Sequence, residues 1–321
     1  MHNNINEICQ KLRLLLEEAV KRNLSEGILL SGGLDTSTLV ALASKYRSPK
    51  AFTVAFEGAP APDIKYAKLV ADRFGLKHSV QIFGEDDLYK AIPLVIRKLK
   101  SFDPMEIRNS VTIFIGLKAA HEEGINSVMT GDGCDELFAG YSFFFGLEKE
   151  KLRLELQRVW NGMAFTSVDL ADMFGIKAKL PYLDSEFKKF AMEMDPELKV
   201  QVERGQTWGK WIIRRAFENI LPEEIVWRVK TPIEAGSGTA TLTRLFNSII
   251  SDAYFKEKTA KYLVEDKVAI RDKEQLFYYE AYRPILGAPH PTSMEGKICH
   301  QCNSNVPERA TYCRTCGAYP V

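Results

Sequence analysis

Gly27-Ile28-Leu29-Leu30-Ser31-Gly32-Gly33-Leu34-Asp35-Thr36-Ser37-Thr38 is the stretch on which the reading of the chain turns. An apolar run of strand length ends in Ser-Gly-Gly, and Leu39, Val40, Leu42 and Ala43 then follow at helical spacing. A strand, a glycine turn and a helix N-terminus present backbone N–H groups and the positive end of a helix dipole, the geometry that cradles phosphate. Glycine allows both a close backbone approach and a positive φ. The hydroxyls of Ser31, Thr36 and Ser37 add donors, and the carboxylate of Asp35 suits a magnesium ion held against phosphates. On these residues alone a plain strand-to-helix connection competes with that reading. The turn lacks both the Gly-Lys-Ser/Thr of a Walker loop and the spaced glycines of a dinucleotide fingerprint.

Outward from this stretch, strand and helix patterns alternate. Residues 5 to 22 place Ile5, Ile8, Leu12, Leu15, Leu16 and Ala19 on one helical face. Ala51 to Phe56 reads as a buried strand, Asp63 to Phe74 as a helix stopped by Gly75, and His78 to Phe83 as a strand. Helices over 86 to 100 and 110 to 123 and a short strand at Ser127 to Thr130 complete the series. The pattern predicts an α/β fold with a doubly wound parallel sheet whose ligands sit at the carboxyl ends of the strands. From 147 to about 285 helical patterns dominate.

The 321 residues, 45% hydrophobic and 26% charged, suffice for one large domain or two ordinary ones. A net charge of +1 gives no global basic field to argue for nucleic acid. No segment reads as a membrane span or a signal peptide. Cys9 and Cys134 stand alone and the other cysteines crowd the tail, which is no spread-out disulfide framework. The expectation is a reduced, cytoplasmic chain.

A second turn, Gly131-Asp132-Gly133-Cys134-Asp135-Glu136-Leu137-Phe138-Ala139-Gly140-Tyr141, follows the last of these strands. Alone it reads as a solvated acidic turn. Together with the PP-loop pattern Ser31 to Ser37 it closely resembles the signature of the asparagine synthetase family. These are ATP pyrophosphatases that split ATP into AMP and pyrophosphate while adenylating a substrate.

The resemblance extends to Gly175 to Asp184, to Lys210 through Ala216, and to Leu221 to Ile225 with Arg228-Val229-Lys230. It implies that Ser31, Gly32, Gly33, Asp35, Thr36, Ser37, Gly131 and Gly133 bind ATP, and that Asp35 and Asp135 hold Mg2+. Asp132 would lie near the acyl-adenylate and Lys230 would contact the phosphates, the two forming the catalytic pair. Val54 and Phe56 would border the adenine, although from the residues alone both read equally well as sheet core. Cys134 is expected to be structural, and Gly236-Ser237-Gly238 to be a mobile loop closing on the nucleotide.

Some positions depart from the pattern. Lys177 and Lys179 stand where the family has glutamate and arginine, and Asp63-Ile64 replaces Asp-Glu. These changes suit either a more anionic substrate or a solvated face. The family's glutaminase domain is not expected here, since few residues precede the phosphate strand. The expected nitrogen donor is therefore ammonia or another amine, supplied free or by a separate glutaminase. The expected reaction converts a substrate carboxylate to an amide at the cost of ATP. The alternative is a PP-loop enzyme that adenylates and thiolates a tRNA base, and a third reading is an ATP-sensing scaffold.

The tail carries Cys299-x-x-Cys302 and Cys313-x-x-Cys316. Two such knuckles form the tetrahedral arrangement of a zinc ribbon, since thiolates match Zn2+ in softness. A pair of disulfides is the competing reading. The ribbon's partner stays open between RNA, another protein and a second copy in a homodimer. The expected division is an N-terminal helix (1–23), a PP-loop core (24–146), a helical part (147–286), a linker (287–298) and the zinc ribbon (299–321).

Overall fold

The structure, a computed structural model, describes residues 2–293 and 295–321, with side chains from residue 5 onward. Met294, inside the expected linker, lies outside the described residues. Strands β1 (Gly27–Leu29), β2 (Lys50–Phe56), β3 (His78–Phe83), β4 (Ser127–Met129) and β5 (Lys177–Lys179) form one sheet in the order β3-β2-β1-β4-β5. β1 pairs in parallel with β2 (Ile28 opposite Ala51) and with β4 (Ile28 opposite Met129), and β4 pairs in parallel with β5 (Val128 opposite Ala178). Five successive residues of β2, Ala51 to Ala55, are buried, as expected of a strand covered on both faces.

The expected α/β fold with a parallel sheet is thus present, although the helix expected over 110 to 123 begins earlier and spans Pro104–Glu122. The helix over Asp63–Phe74 ends at Gly75, whose φ of 65° closes it in the left-handed region. The helix Leu34–Ala43 is buried at every position except Asp35, so packing alone holds it in place.

The strand β5 carries no sequence signal, because Lys-Ala-Lys is a poor strand former. It lies at the sheet's edge, where lysines blunt further strand pairing. Lys177 is exposed and Lys179 half-buried there.

The chain divides into two compact units: residues 1–53, 62–81 and 116–232 form the first, and 54–61, 82–115 and 233–321 the second. In the first, the helix His2–Arg22 lays Leu12, Leu16, Ala19 and Val20, all fully buried, into the core and packs on the helix Trp211–Phe217. The hairpin of β6 (Val200–Glu203) and β7 (Gln206–Gly209) leads into that second helix.

The second unit is mainly helical and ends in the four-cysteine tail, which holds a small hairpin of β8 (Lys297–Ile298) and β9 (Asn305–Val306). The expected mobile loop at Gly236-Ser237-Gly238 is not a loop. Residues Ile233–Ser237 are helical, and Ser237 is buried with its hydroxyl bonded to Ile233 O at 2.8 Å and beside Thr112 and Thr239 at 3.2 Å. Local side-chain bonding and burial override what glycine spacing suggests. Among the described residues no helix is long and apolar enough to cross a membrane.

Candidate active site

Gly32 has a φ of 65°, and a Cβ on it would strike the backbone of Tyr66 and Ala67. Only glycine lets the turn lie this close to the neighbouring helix. Gly33 caps the helix Leu34–Ala43 without any side chain satisfying the first-turn N–H groups. Those donors and the helix dipole remain unspent, as an anion site requires. Ser31 Oγ accepts from Gly33 N at 3.2 Å and lies 3.4 Å from Thr36 Oγ1, while Ser37 Oγ is buried with no hydrogen-bond partner.

The second turn is pressed against the first. A Cβ on Gly131 would come within 3.1 Å of both Asp35 Cβ and Thr36 Cγ2. Gly133, at φ 92°, turns the chain into the short helix Cys134–Leu137, which presents Asp135.

Between the turns sits a residue that the sequence reading did not single out as a site residue. Lys210 Nζ donates to Asp35 Oδ1 at 2.8 Å and Oδ2 at 2.6 Å, and lies 2.7 Å from Asp135 Oδ1. Its side chain is only 5% exposed. Lys210 adopts a φ of 55°, unusual for a residue with a Cβ, and its N–H is bound to Phe138 O at 2.8 Å. Strain of this kind persists where surrounding contacts over-determine it. Burial pushes its ammonium pKa down, but the charges of Asp135 and Asp35 outweigh that and hold it above the ordinary lysine value.

Lys230 approaches Asp135 Oδ2 from the other side at 3.6 Å and lies 5.1 Å from the Tyr141 ring centroid, its side chain 31% exposed. Burial pushes the Asp135 carboxyl up, but the two ammonium groups outweigh it and hold it below the usual carboxylate range. Asp132 behaves oppositely. Burial pushes its carboxyl up, the neighbouring charges of Asp135 and Asp35 add to this, and hydrogen bonds from Ser167 and from Thr130 Oγ1 (2.7 Å) only partly offset it. The site therefore pairs a carboxylate held below its usual range with one pushed above it.

Behind the lysines lies an arginine relay. Arg214 donates to Gly209 O at 3.0 Å, to Val226 O, and to Arg228 O at 3.1 Å, with its guanidinium 4.5 Å from the Trp208 ring. Arg228 in turn donates to Ser31 O at 3.1 Å and to Asp63 Oδ1 at 2.6 Å. The segment ending in Lys230 is thereby tied directly to the first glycine turn.

The turn residues Ser31 to Ser37, the turn residues Gly131 to Asp135, and Lys230 are thus brought together within the first unit. Val54, buried, and Phe56, packed 5.3 Å from the Phe83 ring, belong to the second.

The oxygens of Asp35 and Asp135 fit the magnesium ion implied for them. Both are carboxylates that already share one common cation, the ammonium of Lys210, and hard carboxylate oxygens suit magnesium.

In the tail, the Sγ atoms of Cys299, Cys302, Cys313 and Cys316 all lie within 4.8 Å of one another and all four side chains are buried. Cys299 and Cys316 are 3.7 Å apart and Cys302 and Cys313 3.6 Å, with every cysteine free. A tetrahedron of thiolates around zinc has edges of about 3.8 Å, so the set fits one metal and not two disulfides.

The asparagine synthase family model matches residues 11–160 and 148–295. The glutamine-hydrolysing asparagine synthetase of Sandersonia aurantiaca is 34% identical over 252 residues, covering 71% of this chain and 47% of that protein. That of Triphysaria versicolor is 33% identical over the same length, covering 42% of the relative. Asparagine synthetase B of Escherichia coli K12 is 29% identical over 307 residues, covering 87% of this chain and 54% of the relative. The chain thus spans about half the length of the curated relatives it matches. Among solved structures, an NMN synthetase from Francisella tularensis matches at a TM-score of 0.32 and 16% identity, over 71% of this chain and 98% of that one, a likeness too slight to argue from. On that match and on the identity to these synthetases, the chain belongs to the asparagine synthase family.

Proposed function

We propose that the chain is an ATP-dependent carbon–nitrogen ligase that adenylates a substrate carboxylate and passes the acyl group to ammonia or another amine. The observation that carries this reading is the meeting of Asp35, Asp135, Lys210 and Lys230 beside the uncapped N-terminus of the helix Leu34–Ala43.

In this reading the triphosphate lies along the first-turn N–H groups and the hydroxyls of Ser31, Thr36 and Ser37. A substrate carboxylate oxygen bonds to the α-phosphorus as the bond to the bridging oxygen of pyrophosphate breaks. The ammonium of Lys230 meets the charge that builds on that oxygen. The amine nitrogen then bonds to the acyl carbon, AMP leaves with its oxygen, and the nitrogen loses a proton, for which Asp132 is the nearby carboxylate with a raised affinity. Magnesium, when bound at Asp35 and Asp135, supplies charge neutralisation of the phosphates. The nitrogen comes from free ammonia or a separate glutaminase, and the four thiolates of the tail take zinc.

The thiolation alternative gains no support. Cys134 is fully buried and burial drives its thiol pKa well up, the reverse of an activated thiolate. The test is release of AMP and pyrophosphate with aspartate plus ammonia, with other amino acids, and with tRNA. Release of ADP and phosphate, or no turnover with any carboxylate, overturns the reading.

A further inference from the structure

Lys210 occupies ground that a metal ion must share. Its Nζ touches both oxygens of Asp35 and Oδ1 of Asp135, at 2.6 to 2.8 Å. A magnesium ion binds carboxylate oxygens at about 2.0–2.1 Å, which would set it close beside that ammonium. An ammonium and a divalent ion gathered on these carboxylates bring like charges into close approach. Repulsion between them in a buried, low-dielectric site is strong.

The charges argue the same way. The two carboxylates Asp35 and Asp135 are directly matched by two ammonium groups, Lys210 and Lys230. Carboxylates so matched attract a free divalent ion less than an unpaired pair would. A triphosphate changes that balance by adding several negative charges beside the same residues, and an ammonium on a flexible four-carbon stem can turn to meet them.

The position of Lys210 is also built in. Its φ is 55°, its N–H is held by Phe138 O, and Gly140 leaves the space that its Cε and the Asp135 carboxylate fill, since a Cβ there would overlap both.

From this geometry we propose that Lys210 is a resident cation that closes the Asp35–Asp135 pair to free divalent ions, so that the metal enters only with the nucleotide. The proposal rests on the ATP-dependent reading above. It makes Lys210 a positioning residue that keeps the two carboxylates together in the empty enzyme and yields them when phosphate arrives. Metal-first binding is excluded, and the order of loading is set by the fold.

The test uses the full-length, zinc-loaded protein and Mn2+ as the probe, followed by its EPR signal without nucleotide. Wild type is expected to leave Mn2+ free at about 0.1 mM, because the Lys210 ammonium holds the Asp35 and Asp135 oxygens. Lys210→Met and Lys210→Gln are expected to bind Mn2+ about tenfold tighter or better, and adding Asp35→Asn to either is expected to abolish the gain. Nucleotide-free wild type that binds Mn2+ as tightly as the variants overturns the proposal, as do folded variants that show no gain. If circular dichroism shows that neither variant folds, the wild-type titration decides alone: tight Mn2+ binding overturns the proposal and free Mn2+ upholds it. Binding of α,β-methylene ATP is measured separately by calorimetry. Its absence strikes the ATP reading, whereas the nucleotide-free titrations strike only the role of Lys210.

Discussion

The guanidinium of Arg228 lies 4.0 Å from the centroid of the Tyr66 ring while donating to Asp63 Oδ1 at 2.6 Å, with side chains only 7% and 11% exposed. The same arginine reaches Ser31 O, so one side chain joins the helix Asp63–Phe74, the glycine turn and the approach to Lys230. Removing one partner of such a pair strands a buried charge. Arg228→Met is expected to cost about 3 kcal/mol in urea unfolding. Arg228→Met with Asp63→Asn is expected to recover part of that loss, so the double-mutant cycle yields a coupling of about 1 kcal/mol or more.

Lys230 is the exposed member of the charged cluster, and its removal leaves Asp135 still paired to Lys210. Lys230→Ala is expected to lower pyrophosphate release by about 10²–10³-fold while shifting the melting temperature little. A comparable loss of stability would instead mark the residue as structural.

Gly32 combines a left-handed backbone with contact against Tyr66 and Ala67. Gly32→Ala is expected to displace the turn and abolish nucleotide binding, read by calorimetry, at a stability cost of about 1–3 kcal/mol.

Lys199 is fully buried, with Nζ donating to Ala191 O at 2.7 Å and 4.7 Å from the Trp160 ring, and burial pushes its pKa down to about 7. Above that value the folded chain holds Lys199 neutral, while the unfolded chain still binds the proton up to the ordinary lysine value of 10.5. Stability rises with pH wherever the unfolded state binds more protons. Wild type is therefore expected to gain on Lys199→Met by about 2 kcal/mol between pH 7 and pH 9, measured by urea unfolding of both. Below pH 7 the difference is expected to level off.

The tail is sewn to its own unit at several points. Ser101 Oγ donates to Arg314 O and Phe102 N to Thr315 O, each at 2.7 Å; Gln275 Nε2 donates to Cys316 O at 2.7 Å and Arg271 Nη1 to Gly317 O at 2.7 Å. Chelation is expected to release about one zinc per chain and to lower the melting temperature of the whole second unit. Cys316→Ser is expected to do the same without chelator.

The glycine turns and their acids were legible because each lies within about a dozen consecutive residues and follows a strand pattern. Lys210 was not, since its partner Asp35 is 175 residues away and a lysine opening a helix reads as solvated. Arg228 was hidden similarly, 165 residues from Asp63. Lys-Ala-Lys at β5 gives no strand signal because edge pairing to β4, not side-chain burial, makes it a strand. Gly236-Ser237-Gly238 misleads in the other direction: its glycines suggest freedom, whereas the hydroxyl between them is pinned on several sides.

The carbonyl of Cys316 accepts from both Arg271 and Gln275, so the metal-binding knuckle also serves as the buckle of a strap across the segments around Ser101 and Arg271. Loss of metal or oxidation of these thiols is therefore expected to loosen that strap and expose distant segments to protease. An oxidised or metal-starved population should be cut first near Ser101 and near Arg271, well before the glycine turns of the first unit are touched.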